Sequence, residues 1–374
     1  MSFFKPKKLS GKRAGDDNYV AILAGGIGTR FWPQSTLSTP KQFLDILQQG
    51  ETLLQATYRR FSKIVPPENI YIITGAEYVS LVKEQIKDIQ PHQVIGEPAR
   101  RNTAPCVAYM AHKLYALNPN ANFVVAPADH HIEDDVLFKH IILQAFEYAS
   151  KEDVLITLGI KPTRAHTGYG YIQYNDEKMH GNCAYKVTTF TEKPTLEIAK
   201  TFIGSGDFLW NAGIFIWTAQ NIIRAFEQHA SYINEYFKTG KPYYNTPQEE
   251  NFITNAYSYT SSKSIDYAIM ELAKNTYVIP ASFGWSDLGT WPSLWERAKK
   301  DYQENAILAK NILLYDTNNC LISAPDKKMI VVQGLEEMCI IDTENALLIC
   351  HIENEQRMRE IHNDVAKWNE GQYL

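Results

Sequence analysis

A short apolar run that ends in a cluster of glycines constrains this chain more than any other feature. Val20-Ala21-Ile22-Leu23-Ala24 reads as a buried strand of a parallel sheet. Gly25, Gly26 and Gly28 follow at once. Glycine in such a turn permits φ > 0 and lets a ligand approach the main chain closely. Thr29 and Arg30 come next, and Lys41 lies beyond the turn. A strand, a turn of exposed N–H groups and two cations can make a phosphate site. The same residues also read as an ordinary strand-to-helix turn with surface cations. Two familiar phosphate loops are excluded: Phe31 stands where a dinucleotide fingerprint needs its third glycine, and no Walker A string is present.

With 374 residues the chain exceeds one typical domain, so two are expected. A net charge of −5 gives no reason to expect nucleic acid as the main partner. No stretch approaches the roughly 18 apolar residues of a membrane span, so no membrane partner is expected. The basic start, MSFFKPKKLSGKRAGDD, lacks the apolar core of a signal peptide and reads as a disordered tail over residues 1–18. Cys106, Cys183, Cys320, Cys339 and Cys350 are scattered and form no C-x-x-C, which fits reduced thiols in a cytoplasmic protein and argues against a zinc site. The pair His130-His131 does not match H-E-x-x-H and reads as structural or loop.

Beyond the glycine turn the texture alternates. Strands are expected at 69–74, 94–95, 123–126 and 154–159, with helices at 52–61, 77–88, 103–117 and 136–150 between them. That rhythm predicts a doubly wound, mostly parallel α/β sheet, whose ligands sit at the carboxyl ends of the strands. Further strands are expected from Tyr185, from Leu209 and at 277–280, helices over 230–262, and a helix over 264–274. From about Asn305 short apolar runs recur between turns, which predicts a small β unit over 301–374 closed by a helix, after an α/β domain over 19–300.

Several polar residues stand at predicted strand ends. Glu97 closes the third strand; one carboxylate can accept the adjacent N1–H and NH₂ of guanine, although a surface turn residue is the plainer reading. Asp129 suits a Mg²⁺ ligand or a helix cap, and Glu133, Asp134 and Asp135 serve the cap better. Gly168-Tyr169-Gly170-Tyr171 joins backbone access to aromatic faces that suit a sugar ring, or forms a plain hairpin turn. Glu192 and Lys193 are adjacent on an extended segment, so they are expected on opposite faces. Asp287, read by pattern alone, is an N-cap for a helix from Leu288.

The string LAGGIGTRFWPQSTLSTPKQF resembles the signature of the sugar-phosphate nucleotidylyltransferase family, and its Phe-Trp-Pro and Pro-Lys-Gln-Phe details resemble the mannose/guanosine branch. Similar strings continue through most of the chain: GEP-ARRNTAP, TGYGYI, TEKP, WNAG and SIDY. The resemblance implies a Rossmann-like, doubly wound mixed sheet (nucleotidyltransferase, GT-A-like) with a C-terminal β unit like a fragment of left-handed β-helix that helps form a homodimer. It implies GTP and mannose 1-phosphate as substrates, GDP-mannose and pyrophosphate as products, and Mg²⁺ as cofactor. It assigns Leu23, Ala24, Gly25, Gly26, Gly28, Thr29, Glu97, Asn102 and Thr103 to the nucleotide. It assigns Tyr169, Gly170, Glu192, Lys193 and Asn211 to the sugar phosphate, Arg30, Lys41, Lys193 and Asp129 to catalysis, and Asp129 and Asp287 to the metal. The isomerase fused to some relatives is not expected here.

Overall fold

The first strand, β1 (Asn18–Leu23), alternates its side chains between two cores. Val20 and Ile22 enter one, Tyr19 and Ala21 the other, because successive residues of a strand face opposite ways. A strand apolar on both faces must be covered on both. Helices Leu53–Ser62 and Asp135–Lys151 cover one side, and Thr103–Leu117 and Ala219–His229 the other. The computed structural model describes residues 15, 17–178, 183–354, 357–368 and 372–374. The basic tail read over 1–18 lies almost wholly outside them.

The described residues form a nine-stranded mixed sheet. With β2 (Ile70–Gly75), β3 (Val94–Glu97), β4 (Asn122–Pro127), β5 (Leu155–Ile160), β6 (Tyr171–Lys178), β7 (Tyr185–Thr191), β8 (Phe208–Thr218) and β9 (Thr276–Ala281), the order is β3-β2-β1-β4-β8-β5-β9-β7-β6. Strands β1 to β4 run parallel, so the glycine turn after β1, Glu97 at the end of β3 and Asp129 after β4 share one edge. Strand β8 enters antiparallel to both β4 and β5 and delivers Asn211 to that edge. No helix among the described residues is long and apolar enough to cross a membrane.

The helix expected over 264–274 shrinks to a single π turn, Asp266–Met270. Glu271 N–H bonds back to the Asp266 carbonyl at 3.0 Å, and the chain enters β9 at Thr276. The helix placed after Asp287 starts later, at Trp291, with Thr290 rather than Asp287 as its cap. Leu288 is the cause: its φ of 41° is incompatible with a continuing right-handed helix.

After residue 305 the chain winds into short strands in two small sheets, parallel except for the last, Leu347–His351, which runs antiparallel to Met338–Asp342. Ala306–Leu308 and Leu321–Ser323, three residues each, are too short to announce themselves by periodicity. This unit shares a core with the segment after the glycine turn: Phe31, Trp32, Leu288 and Trp291 pack with Leu321, Ile341 and Met358. Trp32 Nε1 also donates to the Tyr373 carbonyl at 2.7 Å.

Helix Thr103–Leu117 is fastened by a buried charge. Lys113 Nζ lies 2.7 and 2.8 Å from the two Glu249 oxygens, which also accept from Tyr109 OH (2.6 Å) and Asn245 N–H (2.8 Å). Burial lowers the Lys113 pKa against the pull of Glu249. Removing one member of such a pair leaves the other charge buried alone. Glu249→Ala is therefore expected to cost about 3–5 kcal/mol in urea unfolding, and the double variant Glu249→Leu/Lys113→Met to recover most of that loss.

Candidate active site

Gly28 sits at φ 69°, and a Cβ there would stand 2.7 Å from the Lys41 Cβ and 2.9 Å from Ser35 Oγ, so only glycine fits the turn. Thr29–Phe31 then form one tight helical turn. Gln42 Nε2 braces the loop from below, donating to the carbonyls of Ala24 (2.8 Å) and Gly26 (2.9 Å). Ala24, with its N–H on the Ile73 carbonyl (2.7 Å), is a buried brace of the loop. Leu23 reaches a neighbouring cleft.

Lys41 is buried. Its ammonium lies 2.7 Å from Asp129 Oδ2 and donates to the carbonyls of Asp287 (2.8 Å) and Leu288 (3.0 Å). Burial alone would raise the Asp129 pKa, but the Lys41 charge beside it outweighs that and holds the carboxyl below its ordinary value. Asp287 uses Oδ1 to accept from Tyr169 OH (2.8 Å) and Gly289 N–H (2.9 Å), leaving Oδ2 clear of these bonds. Gly28, Arg30, Lys41, Asp129 and Asp287 thus border one cleft of about 280 Å³.

His130 borders that cleft too, although its sequence setting reads as structural. Trp285 Nε1, a donor only, bonds His130 Nδ1 at 3.1 Å, so the proton of the neutral ring sits on Nε2. Burial lowers the His130 pKa and keeps the ring neutral despite Asp129 and Asp287.

His130 and Asp287 also border a second cleft, of about 210 Å³, with Tyr169, Glu192, Asn211 and Asp266. Asn211 is locked: Oδ1 accepts from Thr157 Oγ1 (3.0 Å) and Gly213 N–H (3.1 Å), and Nδ2 donates to Asp266 Oδ1 (2.9 Å). Burial and the nearby Glu192 charge push the Asp266 carboxyl up to about 7. Gly170 leaves room for the Glu192 carboxylate, which a side chain there would push aside. The expected divergence of Glu192 and Lys193 does not occur. Lys193 adopts φ 49°, which breaks strand alternation, and its ammonium pairs with Glu192. Lys193 faces a wider cleft of about 450 Å³ with Arg30, Arg164 and His166.

Glu97 reaches over the start of the loop: a Cβ on Gly25 would lie 3.5 Å from its Oε2. Tyr257 OH, on helix Glu249–Tyr259, donates to Glu97 Oε1 at 2.9 Å. Burial raises the Glu97 pKa to about 7, the Tyr257 bond opposes the rise and Glu77 adds to it. Asn102 (φ 63°) and Thr103 serve the local frame: Asn102 Oδ1 caps Thr103 N–H (2.9 Å), and Thr103 Oγ1 accepts from Ile265 N–H (2.9 Å). Asp266 and Tyr257 were missed as site residues. Asp266 carried a signal, a lone acid inside the apolar SIDYAIM string, whereas Tyr257 carried none.

A glycine-braced turn with arginine, two strand-end carboxylates and a buried lysine at the carboxyl edge of a doubly wound sheet defines a nucleotide-handling site. The chain belongs to the nucleotidyl transferase family, whose model matches residues 19–304, and residues 310–364 match the MannoseP isomerase/GMP-like beta-helix domain. It is 34% identical to Mannose-1-phosphate guanylyltransferase RfbM of Salmonella typhimurium, over 94% of this chain and 73% of that protein. It is 32% identical to Alginate biosynthesis protein AlgA of Pseudomonas aeruginosa, over 92% of this chain and 71% of that one. The crystal structure of a Thermus thermophilus protein described as mannose-1-phosphate geranyltransferase superposes with a TM-score of 0.82 at 28% identity, covering 93% of this chain and 99% of its own.

Lys41→Met removes the charge that lowers the Asp129 pKa while leaving the carboxyl partly buried. The Asp129 pKa is expected to rise by about 1–3 units, read from the pH dependence of its carboxyl ¹³C resonance.

Proposed function

We propose that this chain transfers GMP from GTP to mannose 1-phosphate, giving GDP-mannose and pyrophosphate. The observation that carries the reading is the meeting of Arg30, Asp129 and Asp287 on a cleft that shares His130 and Asp287 with a hexose-sized one bordered by Tyr169, Glu192, Asn211 and Asp266. Relatives named for mannose-1-phosphate guanylyl transfer support the choice of substrates.

An oxygen of the sugar phosphate attacks the α-phosphorus in line, and the bond to the β-phosphate oxygen breaks. A phosphomonoester loses its second proton near pH ~6, so the nucleophile is already an anion and no general base is needed. The task left to the protein is to bring anions together, by positioning and by placed charge. Gly25, Gly26, Gly28 and Thr29 offer N–H groups to the phosphates, Arg30 takes the departing pyrophosphate, and Lys193 holds the sugar phosphate. Lys41 is assigned to the α-phosphate; its ammonium already makes three bonds, so reaching that group exchanges one of them. Glu97 accepts from guanine, and Tyr169, Glu192 and Asn211 meet the sugar.

Asp129 and Asp287 suit Mg²⁺. The described residues hold no cluster of three or more ligating side chains. A pair of carboxylates fits an ion that takes one or two protein oxygens and completes its shell with phosphate and water. When bound, it would neutralise phosphate charge between them. A second copy of the chain is proposed to cover exposed Val331, Leu347 and Ile349 on the β coils, in a cytoplasmic homodimer.

Pyrophosphate release should occur with GTP and mannose 1-phosphate and not with ATP, UTP, dTTP or glucose 1-phosphate; release with another pair would sink the substrate assignment. Arg30→Ala should lower kcat by about 10²–10³, as for loss of one preorganised charge. Only the Glu97 carboxylate can accept both guanine donors, so raising the pH through about 7 populates the binding form. KM for GTP should fall about tenfold between pH ~6 and ~8, and Glu97→Gln should flatten that profile.

A further inference from the structure

We infer that Arg359, on the C-terminal helix Arg357–Lys367, is a further cation for the pyrophosphate that leaves GTP; the inference rests on the guanylyl-transfer reading above. Its neighbour Met358 is buried in the core that holds Phe31 and Trp32, so the helix is seated directly on the turn that presents Arg30. That seating brings Arg359 to the border of the cleft with Gly28, Thr29 and Arg30, and of the wider cleft with Arg30, Arg164 and Lys193.

The charges around it are already committed. Lys41 is held by Asp129, Lys193 pairs with Glu192, and Arg164 Nη1 lies 2.5 Å from Glu296. Asp129 and Asp287 add negative charge to the cleft that must take a triphosphate. Arg359 is exposed and, among the described residues, has no hydrogen bond or ion pair, although its helix neighbours Arg357 and Glu360 lie 3.9 Å apart. A planar guanidinium at the rim, with no carboxylate to satisfy it, is suited to a phosphate oxygen pair. Gly28 and Thr29 on the same cleft wall put it on the β- and γ-phosphate side, while Lys193 takes the sugar phosphate. The plainer alternative is a solvated arginine that touches nothing.

The reverse reaction separates these readings, because GDP-mannose lacks the leaving pyrophosphate. Wild-type protein, Arg359→Ala and Arg359→Lys are compared with GDP-mannose and pyrophosphate, and forward with GTP and mannose 1-phosphate. Arg359→Ala should raise KM for pyrophosphate about 10- to 100-fold and KM for GTP in parallel, as expected for losing a hydrogen bond to a charged group. KM for GDP-mannose and mannose 1-phosphate should stay within twofold, the thermal midpoint should not move, and Arg359→Lys should restore much of the loss. An unchanged KM for pyrophosphate, or a rise confined to mannose 1-phosphate, overturns the role of Arg359 while leaving the reaction standing. A wild-type protein inactive in both directions overturns the reaction itself, and the role of Arg359 with it.

Discussion

The site depends on one buried ammonium. Lys41 Nζ joins the Asp129 carboxylate, which follows β4, to the carbonyls of Asp287 and Leu288, which follow β9, and it lies 5.6 Å from the centre of the Phe31 ring. Its Cβ in turn dictates that residue 28 be glycine. A buried ammonium is tolerated only when its donors are satisfied, and here one of the acceptors, the Leu288 carbonyl, lies 247 residues from the lysine in sequence. The same charge keeps Asp129 ionised. Order in the glycine turn and the charge state of Asp129 are therefore one electrostatic fact rather than two.

The carboxyls around the clefts are sorted by what faces them. Asp129 looks at a cation and is held low, whereas Glu97 and Asp266, half-buried with hydroxyl or amide partners and a second acid nearby, are pushed to about 7. Burial acts on all three in the same direction, and the charge of the nearest neighbour decides the outcome. An acid near neutrality can switch between donating and accepting a hydrogen bond. Uncharged polar hydroxyls and base edges can use that, whereas a phosphate pocket needs fixed charge.

What the sequence made legible follows from how local each signal is. The strand–turn–helix alternation from β1 to β4 is written in apolar runs and stop signals, and the sheet has those strands in parallel. Gly28, Arg30, Lys41, Asp129 and Asp287 stand at strand ends or turns and meet on one cleft. The failures concern backbone torsion and distant pairing. Nothing in Glu192-Lys193 announces that φ turns positive at Lys193 and brings the two charges together. Leu288 hides the same device, which moves the helix cap from Asp287 to Thr290. Tyr257 contacts Glu97 across 160 residues, on a helix that Tyr109 and Lys113 of Thr103–Leu117 tie down through Glu249. Asn102 and Thr103 sit at the expected helix start and spend their side chains on its frame.

The shared core around Phe31 and Trp32 has a bearing on how the molecule comes into being. Trp32 draws on Trp291, whose indole donates to its carbonyl at 3.3 Å, and on Tyr373, which is 341 residues away. A ribosome releases the glycine turn well before either of these partners. Until they emerge, β1 can begin to pair while the turn beyond it still lacks the wall it will lean on. The nascent chain can thus align β1 to β4 before the turn that follows β1 has its full support.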